Sequence, residues 1–168
     1  MDRTRLRFSG SEVLDDAGEV LAVLVRRRSG SAFEVRDAAG SVLATASCRW
    51  WGMSNLWQAR SADGRALLDL RKHPLRSTAR IQLARGGELS AESGLWRTRL
   101  VVRDGDDVVL EAQPGTGSRL LRRELVVALA GRLTVVEAVV VVQAWRELRQ
   151  RDETAGAAAA TAAVIAGS

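Results

Sequence analysis

The side chains able to do chemistry in this sequence are few and mostly of one kind. There is one His, one Cys and no Tyr, so the usual stock of nucleophiles and bases is nearly empty. What stands out is clustered Arg: Arg26-Arg27-Arg28, Arg71-Lys72-His73 and Arg122-Arg123, with Arg119 nearby. A guanidinium presents a rigid fork of donors that matches phosphate oxygens. Such clusters point to an anionic partner, either lipid headgroups or nucleic acid. The plainer reading is a set of solvated strand ends in an Arg-rich chain, and composition favours it. Lys72 is the only Lys, and the excess of Arg, Ala, Gly and Val fits a GC-rich coding bias.

Other candidates carry less. Trp50-Trp51, followed by Gly52, falls in the loop after a strand, where it would face a membrane, stack on bases or plug a barrel mouth. Asp104, Asp106 and Asp107 lack the further oxygens of a calcium loop: Val108 fills a ligand slot, and Gly115 stands where the closing Glu belongs. Pro114-Gly-Thr-Gly-Ser lacks the Gly-Lys-Ser/Thr of a phosphate cradle. His73 and Cys48 cannot make a metal site between them. The expectation is no catalytic residue, no cofactor and no metal, hence not an enzyme.

With 168 residues the chain fits one domain of the usual size, about 100–200 residues. Hydrophobic residues at 46% suffice for a core, and 25 basic against 20 acidic residues give +5. This composition excludes a disordered or collagen-like chain, and a lone Cys excludes a disulfide scaffold. The N-terminus alternates Arg with apolar residues and has no signal-peptide core, and no segment approaches the roughly 20 apolar residues of a membrane span. The expected compartment is the cytoplasm, with peripheral attachment to a membrane if the basic clusters act there.

A strand–turn–strand unit recurs. Glu12-Val-Leu-Asp-Asp-Ala-Gly-Glu-Val-Leu-Ala parallels Glu34-Val-Arg-Asp-Ala-Ala-Gly-Ser-Val-Leu-Ala, with a weaker copy from Gln58. Turn glycines at Gly18, Gly40, Gly64 and Gly87 are spaced by 22, 24 and 23 residues, and Asp104-Gly-Asp makes a fifth turn. Asp-Gly between alternating runs is a hairpin signal. The flanks alternate with period 2, the mark of a half-buried antiparallel sheet. Twelve strands are predicted near 3–8, 11–15, 19–27, 32–37, 41–48, 56–61, 65–71, 78–84, 87–93, 96–103, 107–112 and 119–129. A meander of that length removes its edges by closing into a barrel.

After Gly131 the pattern changes. Thr134-Val-Val-Glu137 reads as a capping box, and a helix is predicted over about 134–151. The run Val139–Val142 favours strand by propensity, but the cap, the length and the helix-forming Trp145–Arg151 segment outweigh it. The first three turns are apolar on nearly every face. Such a helix must be surrounded, and the simplest surround is the barrel itself. Residues 1–153 then form one domain, followed by an Ala-rich tail over 154–168 that is expected to lose order after about Gly156.

This arrangement resembles the tubby C-terminal-like superfamily, which joins tubby domains, LURP-one-related proteins, small bacterial relatives and phospholipid scramblases. The hairpin Phe33-Glu-Val-Arg-Asp-Ala-Ala-Gly-Ser-Val-Leu-Ala is similar to the repeated hairpins of the LURP-one and bacterial branch. Leu133-Thr-Val-Val-Glu-Ala-Val-Val-Val-Val stands where the family has a Leu-Ser/Thr-x-x-Gln-Ala-Phe run, with Glu137 in place of the Gln. The resemblance spans about residues 3–150 and implies a closed antiparallel barrel of about twelve strands around a central C-terminal helix. It implies a peripheral module for anionic phospholipid, for which Arg26, Arg27, Arg28, Arg71, Lys72, Arg122 and Arg123 are the candidate headgroup ligands. A nucleic-acid-binding or protein-interaction barrel is the alternative. Scramblase-like lipid transfer has least support, since neither a calcium segment nor a membrane anchor is recognisable.

Overall fold

The computed structural model describes residues 4–27, 31–51, 54–73, 77–93, 99–115 and 124–166. Twelve strands and one helix follow in chain order. They are β1 (Thr4–Ser9), β2 (Glu12–Leu14), β3 (Val20–Arg26), β4 (Ala32–Arg36), β5 (Val42–Trp51), β6 (Ser54–Ser61), β7 (Ala66–Lys72), β8 (Thr78–Leu83), β9 (Glu88–Ser93), β10 (Leu100–Asp104), β11 (Asp107–Pro114), β12 (Glu124–Leu129) and α1 (Val135–Ala166). Each strand pairs antiparallel with its sequence neighbours, and β1 pairs with β12 to close the barrel. The strand count and closure agree with the sequence reading. β5 runs on through Trp51, in register with Ser54, so Trp50 and Trp51 belong to a strand rather than the loop predicted for them.

The recurring turn has one geometry four times over. Asp15, Asp37, Ser61 and Leu83 each accept from the amide three residues on and donate to the carbonyl four residues on. The amide donor three residues on is Gly18, Gly40, Gly64 or Gly86, with φ of 86°, 89°, 82° and 95°. Only glycine takes that conformation without a Cβ penalty. The fourth turn glycine is therefore Gly86, one residue before the Gly87 of the sequence reading. Register shifts beside the turns of β2–β3, β4–β5 and β6–β7 mark a bulge next to each, as three-residue hairpin loops require.

The valine-rich helix occupies the middle of the barrel. Every residue from Glu137 to Trp145 is buried, and Val139, Val140, Val141 and Val142 are 0% exposed. Successive residues step about 100° round a helix, so burial of all of them means cover on every side. Inward side chains from all twelve strands join the helix in one core, from Leu6 and Phe8 on β1 to Val127 and Leu129 on β12. Ala44 and Ala46 on β5 are small where the helix backbone comes close to the wall. Each buried Val stabilises by roughly 1.5–3 kcal/mol, enough to override its strand propensity.

The two ends of the barrel differ. At the turn end the helix begins with the expected capping box: the Glu137 amide donates to Thr134 Oγ1 at 3.2 Å, and the Thr134 amide to Glu137 Oε2 at 2.8 Å. Arg85, from the β8–β9 turn, donates to both Glu137 and the Arg132 carbonyl, and Arg132 pairs with Asp104 at 2.7 Å. At the exit end the helix leaves the barrel and continues to Ala166, beyond the predicted 151. Ala is the best helix former, and one Gly at 156 does not outweigh its Ala neighbours.

Candidate functional site

Strand alternation decides what the basic clusters can do. Successive side chains on a strand point to opposite faces, so neighbouring basic residues cannot make one patch. Arg26, at the end of β3, turns inward to the helix: its Nε donates to Glu147 Oε1 at 2.9 Å and its Nη2 to Gln150 Oε1 at 2.8 Å. Arg27 turns outward onto Glu34, donating through Nε at 2.8 Å, while Arg36 holds the other oxygen of Glu34 at 2.9 Å. These bonds, Arg36 first and Arg27 second, hold the Glu34 carboxyl below the usual carboxylate range. On β7 the same division holds. Arg71 points outward and is exposed, with no ion pair or hydrogen bond to any described residue. Lys72 is half-buried at the rim over a cavity of ≈ 20 Å³ that reaches Trp145. Arg28, Arg122 and Arg123 lie outside the described residues, as do the Trp50 and Trp51 side chains and all of Trp96.

The structure thus places Arg26, Arg27, Arg71 and Lys72 at the exit end but does not gather them. β3 and β7 stand four strands apart in a ring of twelve, a third of the way round the rim. The cavity between helix and wall beneath Lys72, at ≈ 20 Å³, has room for about one water.

The sequence reading missed a hollow at the exit end. It measures ≈ 430 Å³ and is lined by Gly10, Ser11, Arg26, Gln143, Arg146 and Gln150, with Leu24 at its base. The helix supplies Gln143, Arg146 and Gln150 at spacings of three and four, which place them on one face toward β3 and the β1–β2 turn. Gln143 donates to Glu147 at 2.8 Å, and Arg146 Nη1 reaches Gln143 Oε1 and the Gly10 carbonyl, both at 3.3 Å. Glu147 therefore accepts from Arg26 and Gln143, while Arg146 lies beside it on Gln143 and the Gly10 carbonyl. Burial pulls the Arg146 pKa below its ordinary value; Glu147 opposes this and the nearby Arg26 adds to it. Arg146 Nε and Nη2 donate to no described group. The signal in the sequence was there: Arg146 begins the polar half of an otherwise apolar helix.

A second cluster faces the opposite side of the helix. Arg151 Nη1 lies 3.6 Å from Cys48 Sγ, Nη2 lies 3.4 Å from Ser31 Oγ, and the guanidinium sits 5.8 Å over the Trp57 ring. Burial pushes the Cys48 thiol up, more than Arg151 brings it down, so this thiol is not an activated nucleophile. Trp57 is 1% exposed and packs at 5.4 Å on Phe33. Among the described residues no group of three His, Cys, Asp or Glu could hold a metal, and no helix is long and apolar enough to cross a membrane. In comparisons with known proteins the chain matches no family model, no curated protein and no solved structure.

Proposed function

We propose that the chain is a non-catalytic barrel of the tubby C-terminal-like type that docks on anionic phospholipid with its exit end. The observation that carries this reading is the hollow at the helix exit, lined by both Arg26, held on Glu147, and Arg146, held on the Gly10 carbonyl and Gln143, with Arg146 Nε and Nη2 donating to no described group. A phosphate group supplies the acceptors these donors lack. Arg71, exposed on the same rim with no partner among the described residues, adds long-range attraction. The family assignment rests on the twelve-strand closure around a buried C-terminal helix, together with the Leu133–Val142 run. On this reading the protein resides in the cytoplasm, attaches peripherally and needs no cofactor.

The test is co-sedimentation with vesicles of phosphatidylcholine alone or mixed with phosphatidylserine. Each basic residue near an anionic leaflet contributes about 1 kcal/mol, roughly five-fold in binding. Retention only on the mixed vesicles, declining as salt rises, is expected. Equal retention on both at low salt overturns the reading.

A further inference from the structure

A separate groove lies on the outer wall, over β4, β5 and β6. It measures ≈ 220 Å³, and its polar lining is Arg27, Arg49, Arg60, Thr45, Ser47 and Gln58. These residues come together through strand register alone. Thr45 stands opposite Arg60, Ser47 opposite Gln58, and Arg49 opposite Leu56, which puts a guanidinium near each end of a floor made by two hydroxyls and an amide.

The groove is rich in unused donors and poor in acceptors. Among the described residues Arg49, which is exposed, makes no ion pair or hydrogen bond, and Arg60 uses Nη1 alone, on the Gly64 carbonyl at 3.1 Å. The half-buried hydroxyls of Thr45 and Ser47 likewise have no described hydrogen-bond partner. Two carboxylates flank the groove, and both are engaged. Glu34, opposite Thr45, is held by Arg27 and Arg36 together, and Asp69, opposite Gln58, accepts from Gln58 Nε2 at 3.4 Å. No carboxylate is in the lining itself.

We infer that this groove binds a phosphate-type oxyanion, carried by a soluble phosphate ester or by a lipid headgroup. A tetrahedral oxyanion is made of acceptors, and guanidinium forks and hydroxyls satisfy it as donors. The volume is below the 300–1,000 Å³ typical of sites for whole drug-sized ligands, so the groove takes the charged group and little more. The site shares Arg27 with the rim but contains neither Arg26 nor Arg146, and it stands whether or not the exit hollow engages a membrane.

The experiment is a titration of the full chain with inorganic phosphate and with glycerol 3-phosphate, at ionic strength held constant with chloride. The readouts are the rise in melting temperature and the NMR shifts of the Arg side-chain Nε–H groups. Saturable shifts at Arg49 and Arg60 are expected. Arg49→Gln/Arg60→Gln should weaken binding at least ten-fold while leaving the unliganded melting temperature within a degree or two. Arg71→Gln, outside the groove, should leave phosphate binding unchanged. No saturation, or a response that survives the double substitution, overturns the inference. The vesicle assay separates the two sources: loss of retention in the double variant assigns the groove to a headgroup, and unchanged retention beside lost phosphate binding assigns it to a soluble ester.

Discussion

The turn end and the exit end of the barrel use the same residue, arginine, in opposite ways. At the turn end guanidiniums are matched to carboxylates: Arg85 to Glu137, Arg132 to Asp104 and Arg65 to Asp63. There the charges close the hairpins and cap the helix. At the exit end Arg26 holds Glu147 and Arg27 holds Glu34, but Arg146 rests only on a carbonyl and an amide oxygen, and Arg71 has no partner among the described residues. A matched pair is complete without a partner molecule, whereas a surplus of donors is complete only with one. On the proposed lipid-docking reading, the difference separates the half of the molecule that holds the fold from the half that binds.

Substitutions that break this division differ in size. The largest effect belongs to the element joining the two ends. Val140→Asp puts a carboxylate where no water and no cation reach, a loss comparable to the roughly 5–15 kcal/mol that holds a domain together. Circular dichroism should show an unfolded or aggregated chain, and a soluble variant melting cooperatively would contradict the enclosed helix. Next comes Glu137→Ala at the turn end, which removes the cap and orphans Arg85. Because Arg85 is itself half-exposed, about 2–3 kcal/mol is expected, a fall of roughly 5–10 °C in melting temperature, with vesicle binding intact.

Glu147→Gln makes the contrast sharper, since stability and binding should move apart. Removing the carboxylate that holds Arg26 and lies beside Arg146 destabilises by about 1–2 kcal/mol. It also leaves the hollow more positive, so retention on anionic vesicles should rise roughly five-fold. A parallel fall in both would mean that Glu147 only supports the fold. The smallest effect is at Glu34. Its folded pKa lies below the unfolded value, so its contribution is present at neutral pH and is lost as pH falls through the depressed folded value. Acid unfolding of Glu34→Gln should therefore differ from wild type most near neutrality, with the gap closing below about pH 4.

What the sequence disclosed was local. The turn glycines, the period-2 strands and the Thr134–Glu137 box depend on residues a few positions apart, and the structure has each of them, with Gly86 in place of Gly87. The all-round apolar character of Val139–Val142 then implied a surround, because no other environment accepts such a helix. The site was less legible for a physical reason. Arg26 meets Glu147 across 121 positions and Arg85 meets Glu137 across 52, contacts made by barrel closure and helix threading. A run such as Arg26-Arg27 looks like one patch in the sequence, yet the pleat sends its members to opposite sides of the wall. Arg49 and Arg60 drew no notice because each stands alone in the chain, and only the β5–β6 register brings them to one groove.

The most direct test of the two-ended account compares charge reversals in one vesicle assay: Arg71→Glu at the exit end against Arg65→Glu at the turn end. Both side chains are exposed, Arg65 at 85%, so neither change should shift the melting temperature beyond that of an ordinary surface substitution. The account predicts that Arg71→Glu lowers retention on phosphatidylserine-containing vesicles at least roughly five-fold and that Arg65→Glu changes it less than about two-fold. Equal losses would mean that the protein responds only to its net charge, and the assignment of binding to one end would fail.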